Sequence, residues 1–79
     1  MKKNGQLQFA ICLNNESYPA SLEVGKLYRL IADEDAAKEG YLRVIDESGE
    51  DYAFASNRFH LIDLPQSVKK TLAPRLAHA

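Results

Sequence analysis

The sequence holds a single cysteine, Cys12, and no tryptophan. One thiol cannot close an intramolecular disulfide, so packing alone has to hold the fold, and a reducing, cytoplasmic setting is expected. No apolar run approaches the ~20 residues that cross a bilayer as a helix, which argues against a membrane span. The basic start Met1-Lys2-Lys3 is followed by neither an apolar stretch nor a small-residue cleavage site, which argues against a secretory signal. Glycine and proline are scarce, at four and three residues, so the composition is neither collagenous nor that of a disordered linker. A strong basic excess is also missing. Ten Lys and Arg face eleven Asp and Glu, a net charge of −1, which speaks against a general nucleic-acid footprint. There is no internal repeat and no low-complexity segment.

What is present is a chain of 79 residues, 46% hydrophobic and 27% charged. That is enough for one domain around one small core, and too little for a deep catalytic cleft with its own supporting shell. A binding or scaffold module is expected. The charge is unevenly spread: residues 33–51 carry two basic against eight acidic side chains, a net −6, while the segments before and after carry +2 and +3.

Residues 7–13 alternate at period two and predict a strand, with Leu7, Phe9, Ile11 and Leu13 on a strongly buried face and Gln8, Ala10 and Cys12 on the other. Asn14, Asn15 and Pro19 stop it and open a long loop over 14–24, a length that in so small a domain points to function. A central strand is expected over 27–32, apolar on both faces apart from Arg29. Asp33 as N-cap, acids in the first turn, two alanines and Gly40 predict one to two helical turns over 33–40. The runs 41–47 and 50–55 flank Ser48-Gly49 and predict a hairpin, since Gly49 supplies the positive φ of a tight turn. A further turn at 56–58 leads to a short strand at 59–62. Pro65 opens a C-terminal helix over 65–73, with Leu64, Val68 and Leu72 as its apolar stripe and Pro74 ending it. The expected fold is all-β: a five-stranded small barrel over 7–64 with a helical turn in one loop and a short C-terminal helix capping it, between tails at 1–6 and 74–79.

The stretch 40–59 resembles the second half of an SH3 domain. Tyr41-Leu42 stand where that family has paired aromatics, Gly49 sits in the hairpin turn, and Ala55-Ser56-Asn57-Arg58-Phe59 matches the family's Pro-Ser-Asn-Tyr-Val turn. Upstream, Ala20-Ser21-Leu22-Glu23-Val24-Gly25-Lys26 is similar to its Leu-Ser-Phe-x-x-Gly-Asp stretch, and Phe9-Ala10-Ile11-Cys12-Leu13 occupies the place of its Ala-Leu-Tyr-Asp-Tyr run. The whole is also similar to small bacterial SH3-like proteins of uncharacterised role. The resemblance implies an SH3-like barrel over about 7–64. It does not carry over proline-rich ligands, which dock on aromatic faces. Tyr41 and Leu42 replace the paired aromatics, Ala55 and Arg58 replace the motif's Pro and Tyr, and the first-strand tyrosines are missing.

Residues that carry chemistry point the same way. The acidic loop Asp33, Glu34, Asp35 with Tyr18, Tyr41 and Arg58 is the candidate partner-binding face, suited to a protein segment with a basic residue beside an apolar anchor. Asp46, Glu47, Glu50 and Asp51 crowd the hairpin tip but lack the spacing of an EF-hand, and are expected to be solvated. Cys12, His60 and His78 are too few for a zinc site. Ser56, His60 and Asp63 form a hydrolytic set by composition only, with no nucleophile turn. The expectation is a non-enzymatic module without cofactor or metal. Its rival is a nucleic-acid-binding barrel using Lys2, Lys3, Lys26, Arg29 and Arg58 with the basic C-terminal residues Lys69, Lys70 and Arg75.

Overall fold

A computed structural model describes residues 8–76 of the chain; Lys2, Lys3, Leu7 and His78, named above, lie outside the described residues. Strands β1 (Gln8–Cys12), β2 (Leu27–Ile31), β3 (Tyr41–Ile45), β4 (Asp51–Ala55) and β5 (Phe59–Ile62) form one sheet in the order β4-β3-β2-β1-β5. All neighbours are antiparallel. Helix α1 (Glu34–Lys38) joins β2 to β3, a 3-10 turn (Ser56–Arg58) joins β4 to β5, and α2 (Gln66–Leu76) follows β5. The central strand is β2, as expected, with Tyr28 and Leu30 buried on one face and Ile31 on the other 40% exposed.

Directly opposed residues of an antiparallel pair share a face. The pairs Ala10 with Tyr28, Cys12 with Phe59, Leu30 with Val44 and Leu42 with Phe54 therefore define one side of the sheet. That side, with Leu22 from the long loop, is the main core. The sheet curls around it. Phe54 and Phe59 belong to strands at opposite ends of the strand order, yet their ring centroids lie 6.1 Å apart. Among the described residues no ladder joins β4 to β5, so side chains rather than hydrogen bonds bring the two edges together.

This curl revises the reading of β1. The alternation is real, but both faces are buried: Ala10 and Cys12 are fully covered, Phe9 is 1% exposed on the opposite side, and Leu13 is 54% exposed. The inside of a curled sheet is short of room, so small Ala10 and Cys12 face the crowded rings of Tyr28, Phe54 and Phe59. Phe9 lies opposite Arg29 of β2 and Ile62 of β5. Helix α2 packs against β2. The helix also runs through Pro74 to Leu76 rather than stopping before it. A proline so near the end removes one late hydrogen bond and leaves the preceding turns intact.

Local punctuation behaves as its chemistry dictates. The Asp33 side chain accepts the Ala36 amide at 2.9 Å and caps α1, and Gly40 takes φ +85° where the helix ends. In the hairpin the Asp46 amide donates to Glu50 O at 3.0 Å, and Gly49 sits at φ +85°.

Candidate functional site

The long first loop is fastened to the sheet at several points. Leu22 is fully buried. The Asn15 side chain donates to Leu22 O at 3.0 Å, the Glu47 amide to Ser21 O at 3.0 Å, and the Glu23 amide to the Tyr28 hydroxyl at 2.8 Å. From the far side, Arg58 Nη1 donates to Asn14 O at 3.2 Å. A loop tied this way holds Tyr18 in place. Its ring meets Phe54 edge-on, with centroids 5.2 Å apart at 84°, and the Arg58 guanidinium lies 4.9 Å from its centroid.

Beside this ring opens a cleft of about 250 Å³ lined by Tyr18, Ser21, Asp46, Tyr52, Ala53 and Phe54. Tyr18 and Tyr52 remain 43% and 49% exposed, so their apolar surface is open to a visitor. The Tyr52 hydroxyl donates to Glu50 Oε1 at 2.7 Å, and this bond raises the phenol's pKa above its ordinary value. Asp46 is only 5% exposed, the one charged side chain buried among the described residues. Its Oδ1 accepts from the Ser48 amide at 2.8 Å and the Ser48 hydroxyl at 2.5 Å.

The other acids of the hairpin tip each go to a different partner. Glu47 takes the Lys26 ammonium at 2.8 Å and the Tyr28 hydroxyl, and Asp51 takes Arg43 Nη1 at 2.8 Å. Lys26 first and Tyr28 second hold the Glu47 carboxyl below its usual range. Burial first and Glu47 second push the Tyr28 phenol well up. Arg43 also reaches Asp33 at 2.9 Å; the Ala36 amide and then Arg43 lower the pKa of that carboxyl. Among the described residues no group of His, Cys, Asp or Glu gathers in a way that could hold a metal ion.

The candidate partner-binding residues separate into two groups. Tyr18 and Arg58 meet beside the cleft. Asp33, Glu34 and Tyr41 line a second groove of about 260 Å³ between the end of β2, α1 and the start of β3. Asp35 stands in the first turn of α1 and lines neither cavity. Register explains the separation. Tyr41 is paired with Ala55 and Leu42 with Phe54, so Tyr41 points to the face opposite the one on which Tyr18 packs. Sequence reasoning overlooked Tyr52 and Phe54, although their period-two spacing puts both on one face. It also read Asp46 as solvated, whereas the turn folds back over it and buries it.

The serine, histidine and aspartate of the hydrolytic set are not assembled among the described residues. Ser56, His60 and Asp63 are exposed and no hydrogen bond joins them among the described residues, while Cys12 is fully buried. The site instead offers aromatic surface, a carboxylate and a fixed loop, which suit docking. Compared with models of protein families, with curated proteins and with solved structures, the chain matches none.

Proposed function

We propose that the chain is a non-enzymatic binding module, an SH3-like barrel in all but the hydrogen bonding of its last edge, that docks a protein segment in the cleft beside Tyr18. The order of elements supports the SH3-like part. A long loop follows β1, a short helix-bearing loop follows β2, a tight hairpin joins β3 to β4, and a 3-10 turn separates β4 from β5. The observation that carries the binding role is the pair of half-exposed tyrosines, Tyr18 and Tyr52, that line one cleft with Phe54, Tyr18 being held by the fastened loop. Rigid aromatics lose little entropy on contact, which is why such rings anchor interfaces. A proline-rich ligand is disfavoured, since Ala55 and Arg58 stand where a platform for it needs Pro and Tyr. Nucleic acid is disfavoured as well. Lys26 is engaged by Glu47, Arg43 by Asp33 and Asp51, and Arg58 by Tyr18 and Asn14, which leaves these cations committed within the fold.

Peptide-display selection on immobilised chain tests this reading, with counter-selection on the Tyr18→Ala and Tyr52→Ala variants. Enriched peptides that both variants release are expected. Enrichment indifferent to both substitutions would move the site elsewhere, and failure to enrich any peptide would remove the role.

A further inference from the structure

Asp46 presents an imbalance that the folded chain does not resolve by itself. It is 95% covered, and a carboxylate so far out of water is costly unless its oxygens find partners. Oδ1 has two, the Ser48 amide and hydroxyl, but Oδ2 has no hydrogen bond among the described residues. Neither is Oδ2 among the fully covered polar atoms left without a partner, a condition met among the described residues by Arg29 Nε. The free oxygen therefore keeps some access, and the residue lines the cleft between Tyr18, Tyr52 and Phe54.

Resting on the binding role proposed above, we infer that this cleft takes the side-chain ammonium of a lysine carried by the docked segment, with Asp46 Oδ2 as its acceptor and the tyrosine rings as its walls. Three observations converge. Aromatic faces are electron-rich and attract a cation, more so where water is excluded. The charge at the cleft has the right sign, because Asp46 lines it and Glu50 stands at its rim, bonded to Tyr52. The geometry of Asp46 then selects between the two basic side chains. A guanidinium fork binds best across both oxygens of a carboxylate, and here Oδ1 already accepts two hydrogens. A lysine ammonium needs one free oxygen and tolerates a flexible approach, while its four-carbon stem covers the rings. Arg58 lies outside the cleft lining, so the cation it places on Tyr18 does not occupy the same space.

The test is an NMR titration of the full chain with short capped peptides of the form Gly-Ser-X-Ser-Gly, where X is Lys, Arg, Gln or norleucine. The Lys peptide is expected to shift the amide signals of Tyr18, Ser21, Asp46 and Tyr52 saturably and to bind roughly tenfold or more tightly than the Gln and norleucine peptides. Asp46→Asn keeps an acceptor for Ser48 and is expected to remove that preference. Should this variant unfold, Glu50→Gln and Tyr52→Ala at the exposed rim serve instead, each weakening the Lys peptide several-fold. Norleucine or Gln binding as tightly as Lys, or Arg binding more tightly, would overturn the ammonium assignment while leaving the cleft as a docking surface. Absence of any saturable shift at the cleft with all four peptides and with display-selected ones would remove the binding role together with it.

Discussion

Single side chains set how firmly the cleft is built. Leu22 belongs to a loop by sequence yet is fully buried in the main core, so it anchors the segment that carries Tyr18. Leu22→Ala is expected to cost about 2 to 5 kcal/mol, the range for emptying a buried leucine site. In a domain of this size that corresponds to a fall of roughly 10 °C or more in a thermal melt. Arg29 is the opposite case. Its Nε is buried without a hydrogen-bond partner, and it lies opposite Phe9 on the covered face. An unsatisfied polar atom subtracts from stability, so Arg29→Met is expected to leave the melting temperature unchanged or raise it by a few degrees. A large fall would show that the guanidinium contributes more than its stem.

Elements cooperate through a few charged and aromatic ties. The Lys26, Glu47 and Tyr28 group joins the end of the long loop to β2 and the hairpin. The folded state lowers the Glu47 pKa from its ordinary 4.5, so its contribution is complete above that value and is lost as pH falls through the lowered one. Melting temperature is therefore expected to drop on acidification below about pH 4.5, and Glu47→Gln is expected to flatten this limb, leaving the part due to Asp33. The Tyr28 phenol has the converse sign: raised from 10.0, it contributes below that value and loses its contribution in strong alkali. Helix α2 packs on β2, and truncation after Pro65 is expected to lower the melting temperature by several degrees; an unmoved melt would mean that the helix covers nothing. Much of this element layout was legible in the sequence because turn chemistry is local: Asp33 capping α1, Gly40 ending it and Gly49 turning the hairpin are visible without tertiary information. The two-sided burial of β1 was not, since alternation reports that faces differ and not how many are covered. The helix running through Pro74 was missed because a local stop signal is a preference, and one hydrogen bond near a helix end is a small loss.

At the scale of the whole molecule, charge that sums to −1 is segregated rather than absent. Three acids of the central block, Asp33, Glu47 and Asp51, are held in ion pairs, Asp33 also as a cap, while Asp46 is turned inward against aromatic rings. Tyr18 and Arg58 were legible as candidate surface residues from the loop and turn that carry them. The partners that make them a site, Tyr52, Phe54 and Asp46, depend on how the hairpin folds against the loop, which is long-range information. A lysine docked there is expected to bind more weakly as salt rises from about 0.05 to 0.5 M, because screening removes the field that draws it in. A salt-insensitive affinity would indicate that burial of apolar surface alone holds the segment.

The most direct test of the central claim is chemical-shift mapping of a display-selected peptide on the full chain. The account predicts shifts concentrated at Tyr18, Ser21, Asp46, Tyr52 and Ala53, abolished by Tyr52→Ala with the fold intact. Shifts concentrated instead at Asp33, Glu34 and Tyr41 in the groove at the start of α1, or along α2, would contradict it.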